Sequence, residues 1–593
     1  MKRRNLFLSL ISSVLVAVAI VTVTIVTVIQ PKKKNNQGGP VVTPIVDVEE
    51  VVDNSQYENE NEFERDGSEE YPFLIYSAES FINLVSEYGG KEDRVITKAV
   101  TEKKVVDGKE VEVLKRDSEG YVIFEKVLDE NGKETYGVYN FELVKDIQFT
   151  GVEFETLFND GTSFKGNIDG KGFALSNISI NVTTENLESK FSFDKSLEDA
   201  NGNVIGANRF ARIGIFGEMS GSKIKNLIID KLIVNVDKEV YGFISNAKYK
   251  ESKVPFAELS VGGLAAVATN VTLEKVNIEA SVAGSSYINN LISINNAVGG
   301  VVAVAENVKM TESKVDVAIS ANAGTDYLVG GVAGYGREVE ITKTDIATDI
   351  GSSFSNGLIM AGVFGYARTF TGSELNVDFV ANETAGEAAR KEYVAKLTSD
   401  SNGDACLAKA GEMSTLAGLV GILRADNSTQ ETTLTNIKVN SDVDFDGMFA
   451  GAIFDVYSAN KTTFGLVELK NIIVNANVNV LAVHAFARQL VATTVSYDNT
   501  SEKGYCNIKV TGNVEFEKYT GTVIVKNVLG ESSVQTVTYH GASILAATDL
   551  KYVSGTFKDL FIEASSDVDA VLQKGIAGIS IKIGAFGSYK VVD

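Results

Sequence analysis

Proline is nearly missing from the body of this chain: four of its five prolines (Pro31, Pro40, Pro44 and Pro72) precede residue 73, and only Pro255 follows. A proline removes a ladder N–H, so strands paired on both edges exclude it. The long stretch after residue 73 therefore reads as paired strand almost throughout. Histidine is as scarce. His484 and His540 are the only two, which excludes HExxH zinc sites and most histidine-based triads. Cys406 and Cys506 make no disulfide framework and form no CxxC or Cys/His metal spacing. Tryptophan is absent, and with it the commonest flat platform for stacking a sugar or an aromatic ligand. A basic surplus is lacking too. The formal charge is −23 and the pI about 4.7, whereas nucleic acid needs clustered lysine and arginine, so no nucleic-acid partner is expected.

What is present is a repeat. Glycine-rich openings recur as Gly214-Ile215-Phe216-Gly217, VGGLAAVA from Val261, VGGVVAVA from Val298 and VGGVAGYG from Val329. AGVFGYAR from Ala361, LAGLVGIL from Leu416 and AGAIF from Ala450 continue the series. Uninterrupted onsets fall 31–37 residues apart, a period that signals solenoids or propellers. A shorter signature, apolar-x-Asn-apolar-x-apolar, surrounds Asn177, Asn226, Asn436, Asn471 and Asn507, with Asp559 in the same slot. Stacked parallel strands lie about 4.8 Å apart and bring equivalent residues above one another. Asparagines in such a file can bond amide to amide. A propeller would need four strands per unit and a blade-closing aromatic signature, which this sequence does not show. The expected fold is all-β: a right-handed parallel β-helix, or β-solenoid, with an N-terminal helical cap and a transmembrane signal anchor.

Domains follow from composition. Residues 1–30 hold Lys2-Arg3-Arg4, an uncharged run from Leu6 to Ile29, and then Pro31 and three lysines. At about 1.5 Å per residue that run can cross a bilayer core, so the expected partner there is the membrane. Cleavage after Ala17-Val18-Ala19, giving a secreted protein, is the alternative. Residues 31–72 are polar and strongly acidic and read as a disordered linker. Residues 73–139 form a lead-in segment whose amphipathic helix, from Ser77 to Tyr88, caps the solenoid. Asp107-Gly108 and Asn131-Gly132 mark hairpins within it. The repeat array occupies 140–593, with insertions at about 237–260, read as a protruding loop, and 383–414, which holds a helical EAARKEYVAKL stretch.

The motifs Gly214 to Gly217, the VGG openings, the F-x-G-x-x-D-G stretch from Phe164 to Gly170 and the segment from Tyr76 to Ile147 resemble a known group. These are bacterial cell-surface proteins with GLUG-type repeats on a right-handed β-helix. The resemblance covers residues 73–593 and drifts after Ala381. It implies a cell-surface location with the C-terminal region extracellular and an adhesin-like role. Some relatives carry a zinc peptidase domain, and without HExxH that activity does not transfer.

Chemistry is sparse beside this architecture. Asp400, Asn402 and Asp404 lie in a D-S-N-G-D run that offers a candidate calcium loop, although Ala405 replaces the loop glycine and similar turns recur at Asp129 and Asp199. Asp442 to Gly447 matches half an EF-hand loop, but its alternation reads as a strand with acids outward and Val443 and Phe445 inward. Asp316, Asp345 and Asp378 sit in comparable strands, as the acids of a β-helical polysaccharide lyase or hydrolase would. His484, within LAVHAFA, reads as a core residue. No catalytic residue and no cofactor are expected. The expected function is binding, as an adhesin or surface-interaction scaffold with a glycan or host surface protein as ligand. A polysaccharide-degrading enzyme is the alternative, and a purely structural coat protein the third.

Overall fold

The computed structural model describes residues 54–106, 109–246, 254–284, 286–288, 297–321, 327–352, 358–383, 415–424, 431–451, 454–455, 466–484, 505–516, 518–526, 532–540, 542–543, 557–565 and 587–590. One turn of the chain, residues 297–321, shows the unit. Strand Ala297–Gly299 meets a glycine corner, then come Val302–Glu306, Lys309–Thr311 and the long strand Lys314–Ala321. Along that last strand burial alternates strictly, with Val315, Val317, Ile319 and Ala321 inside and the polar residues between them outside. Each segment pairs in parallel with its counterpart one turn on: Val298 with Val329, Val304 with Tyr335, Met310 with Ile341, Val315 with Ile346. A chain that returns above itself in this way is a β-solenoid. The stacking runs back through Leu273, Ile224 and Ile168 to Phe141. It runs on from Leu434 through Leu469 and Tyr505 to Phe557.

Two kinds of corner make the turn. Between the first and second segments, Gly263, Gly300, Gly331 and Gly362 stand above one another. A Cβ on any of them would lie 2.3–2.4 Å from the carbonyl oxygen of the next glycine in the column. This backbone-to-backbone approach is why the openings read VGG. Between the third and fourth segments the chain turns through the left-handed region at Asn226, Lys275, Glu312, Lys343, Glu374, Asn436 and Asn471, with φ between 49° and 57°. That conformation costs an L-residue about 1–2 kcal/mol. Here the N–H finds a carbonyl one turn on, Asn226 with Glu274 (2.9 Å), Lys275 with Thr311 (2.9 Å) and Glu312 with Thr342 (3.1 Å).

The interior is one continuous apolar cluster from Phe73 to Ile472. Its first turns are aromatic, with Phe164 and Phe216 stacked at 4.7 Å. At the N-terminal end, helix α2 (Ala78–Tyr88) is capped by Ser77, whose hydroxyl accepts the Ser80 N–H, and buries Phe81 and Val85 in the cluster. Phe81 meets Phe149 edge-on at 5.8 Å. Residues 94–137 leave the coil as nested antiparallel pairs, the outermost hairpin being Thr101–Val106 with Lys109–Leu114.

Two expectations need correction, and a third is not reached. Residues 54–72 are not a tether: helix α1 (Ser55–Phe63) forms there, and the compact unit begins at Asn54. Its sequence is a weak amphipath, so tertiary contacts hold it. The Asn61 amide donates to the Leu74 carbonyl (2.9 Å) and accepts the Leu74 N–H (2.7 Å). Tyr57 stacks on Tyr76 at 5.8 Å. Leu74 is the centre of β1 (Phe73–Ile75), the first strand of the solenoid, which pairs on its other side with β2 (Asn140–Leu143). Asn61 thus closes an edge that would otherwise template a foreign strand. The insertion at 237–260 is not simply a protruding loop either. Helix α3 (Lys238–Ser245) buries Val240 and Ile244 in the core, and Phe256–Gly262 is a buried strand. Lastly, the helical stretch expected within 383–414 lies outside the described residues from 384 onward.

Two outcomes test these contacts. Gly331→Ala, whose Cβ would sit 1.9 Å from Thr348 Oγ1 and 2.3 Å from the Gly362 carbonyl oxygen, is expected to destabilise by about 3 kcal/mol in chemical unfolding. Gly351→Ala, with open space around its Cβ, should stay within about 1 kcal/mol. Equal effects would refute the close-approach account. Asn61→Ala should cost about 2 kcal/mol and raise the sedimentation coefficient with concentration as the β1 edge opens; an unchanged monomer profile would show that Asn61 does not guard it.

Candidate functional site

The asparagine signature resolves into backbone geometry. Asn226, Asn436 and Asn471 occupy one corner column, and Asn507 follows Asn471 in register. Asn471 Nδ2 donates to Asn436 Oδ1 at 2.9 Å, and Asn226 Nδ2 to Asp169 Oδ1 at 3.1 Å. Between Asn226 and Asn436 the same column holds Lys275, Glu312, Lys343 and Glu374. Glu312 lies 3.7 Å from the Lys275 ammonium and 3.9 Å from that of Lys343. Asn177 belongs to a different corner, shared with Lys231, and donates to Gln148 Oε1 at 2.7 Å. What the sequence motif marks is a left-handed φ, for which asparagine is one solution among several.

One turn before Asn226, in register with Lys225, Asp169 gathers the Asn226 amide, the Lys171 N–H (3.0 Å) and the Lys225 ammonium (3.2 Å). Partial burial pushes its pKa up, but the Asn226, Lys171 and Lys225 donors outweigh burial and hold it below the ordinary aspartate value. A depressed folded pKa gives stability that is complete above the unfolded value of about 3.9 and is lost as pH falls through the folded value.

The long fourth segment presents acids and amides outward. Asp316 and Asp378 share a column with Ala347 between them, while Asp345 stands in the adjacent column between Lys314 and Asn376. Asn376 Nδ2 bonds Asp345 at 2.7 Å, Asn440 Nδ2 bonds Asp378 at 2.6 Å, and Lys314 lies 3.8 Å from Asp316. The three acids thus do not converge. Asp442 and Asp444 point outward and Val443 inward within strand Glu431–Gly451. Asp400, Asn402 and Asp404 lie outside the described residues, as does the side chain of His484. Among the described residues no three His, Cys, Asp or Glu side chains are grouped to hold a metal ion. No helix among them is long and apolar enough to cross a membrane, and the run from Leu6 to Ile29 lies outside them.

A feature that sequence reading missed lies on the outer face of the first and second segments. A second apolar cluster, separate from the interior, includes Ala297, Val304, Leu328 and Tyr335, with Ile359 and Tyr366 against it. Toward the N-terminal end the face is closed by a buried ion pair. Arg212 holds Glu258 through two contacts (3.2 and 3.0 Å) and also bonds Glu218, while Ser260 donates to Glu258 at 2.8 Å. Burial disfavours the Arg212 charge, but the Glu258 and Glu218 carboxylates outweigh it and raise its pKa. Toward the C-terminal end Tyr335 and Tyr366 face each other at 5.5 Å. The Arg368 guanidinium lies 6.0 and 5.9 Å from their ring centres. Glu306, Arg337, Arg368 and Arg424 follow one another in register. Only the recurring G-Y-G-R and G-Y-A-R of two openings signalled this in sequence.

Comparison with known proteins adds little. No protein-family model matches the chain, and no curated protein does. Among solved structures the fold is similar to a chain named "IgA1 Protease", at 14% sequence identity and a TM-score of 0.31. The match covers 74% of this chain but only 26% of that one, a likeness too low to carry fold or activity across.

The acid limb gives a direct test of the corner. Asp169→Asn should leave the unfolding midpoint less sensitive to pH between about 5 and 2 than in the wild type; an identical pH profile would mean that the carboxylate is not held there.

Proposed function

We propose that this chain is a membrane-anchored surface protein built on a right-handed β-helix with an N-terminal helical cap, serving as an adhesin or interaction scaffold. The observation that carries this reading is the parallel register kept turn after turn. It produces a long, stiff surface on which outward side chains recur in columns. Such a surface suits an extended ligand better than it suits turnover of a small one. The GLUG-type resemblance supports a cell-surface role. The run from Leu6 to Ile29 supplies the anchor, with the C-terminal region outside the cell. The enzyme alternative rests on Asp316, Asp345 and Asp378, and their amide and lysine neighbours leave it without a paired acid and base.

Two measurements decide between these readings. Protease added to intact cells should release a fragment close to the size of residues 54–593, and protection until lysis would refute the surface location. Reducing-sugar release from acidic polysaccharides should stay at background for the full chain. Turnover that disappears in Asp345→Asn would establish the enzyme instead.

A further inference from the structure

Exposed apolar side chains are few on this molecule and unevenly spread. Among the described residues ten large hydrophobic side chains stand exposed, and five of them, Val105, Val111, Val127, Leu128 and Tyr136, lie on the antiparallel ribbon of residues 94–137. That ribbon has almost no interior of its own. Of its described residues only Arg94, Ala99 and Val122 are buried, and a two-stranded hairpin by itself is marginal in water. Its charge also sets it apart, with nine basic residues against ten acidic ones, whereas the rest of the chain has 46 against 68. The ribbon is fastened beside residues 64–71, through Arg116 with Glu64, Thr97 with Asp66, and Phe124 edge-on to Tyr71 at 5.4 Å.

We infer that the 94–137 ribbon rests in the lipid–water interface of the bilayer that holds the run from Leu6 to Ile29. Chain length permits the contact: residues 30–53, twenty-four in all, span at most about 85 Å. Tethering at that range keeps the local lipid concentration high, so a few apolar side chains suffice. Charge favours the same surface. A chain of net charge −23 is repelled by anionic headgroups, and the near-neutral ribbon escapes most of that repulsion. Leu128 pairs with Glu134, so Leu128 and Tyr136 share a face with the Lys126–Glu134 ion pair. A tyrosine ring and a lysine stem keep an apolar body in the interface and a polar end in water. On the outer hairpin Val105 opposes Glu110 and Val111 opposes Lys104, which puts the two valines on opposite faces. A protein partner laid against the hairpin would cover one of them; lipid closes around both. The inference rests on the anchored-surface reading and adds a second membrane contact to it.

The sequence has no tryptophan, so a single introduced one reports alone. Full-length Tyr136→Trp is reconstituted into phosphatidylcholine vesicles containing phosphatidylglycerol, with acyl chains brominated next to the headgroup or left plain. Its emission should shift to the blue and be quenched at least about twofold by the brominated lipid, the depth expected for an interfacial side chain being about 5–10 Å. Ile233→Trp, exposed on the solenoid wall, should show neither change. Should Tyr136→Trp alter the circular dichroism spectrum, Val105→Trp carries the same expectation. Alkaline extraction of the same vesicles reports the anchor separately. Chain that stays with the vesicles yet shows no quenching at Tyr136→Trp or Val105→Trp would overturn the inference, leave the anchored reading standing and assign the ribbon to a protein partner. Equal quenching of Ile233→Trp would mean that the wall itself lies on lipid, and would also overturn it. Chain stripped from the vesicles would remove the anchor and the inference together.

Discussion

Backbones that nearly touch at the glycine corner set the terms for everything else in this molecule. Gly263, Gly300, Gly331 and Gly362 let one turn settle on the next with no side chain between them, so the rungs can keep parallel register around the whole coil. From that spacing follow the alternation of the long strands, the continuity of the apolar interior and the vertical columns of outward residues. A corner with room for side chains would splay the turns and break the ladders on either side of it.

The interior changes character along the axis. Its first turns are filled by phenylalanines, including Phe141, Phe149, Phe154, Phe164 and Phe216, and its middle turns by valine, isoleucine and alanine, until Phe364 and Phe370 meet at 4.9 Å. Bulk is concentrated where the solenoid begins and must be closed by α2 rather than by another rung. There, Asn61 replaces at Leu74 the hydrogen bonds that a preceding turn would have made, and Ser77 caps the closing helix.

Much of the architecture was legible because it depends on local rules. Glycine was readable as a close-approach residue, proline scarcity as pairing, and Ser77 as the start of a helix. The misreadings share one cause. The acidic stretch before Pro72 looks like a tether in composition, and only partners more than ten residues away, such as Leu74 for Asn61, make a helix of part of it. The segment holding Pro255 looks like a loop until Val240 and Ile244 find the core. The candidate site was the least legible. Arg337, Arg368 and Arg424 are separated by unequal stretches of chain and become one column only when the register is known. Asp316, Asp345 and Asp378 looked equivalent in sequence, yet a two-residue offset places Asp345 in another column.

The alternating corner has a consequence for how such a chain can change length. Lys275, Glu312, Lys343 and Glu374 succeed one another turn by turn. Removing a single turn would set Glu312 against Glu374, or Lys275 against Lys343, and put repulsion where attraction had been. Removing two restores opposite signs. Geometrically the module of this solenoid is one turn, but electrostatically it is a pair, so growth or loss by duplication and deletion is favoured in even steps through this region.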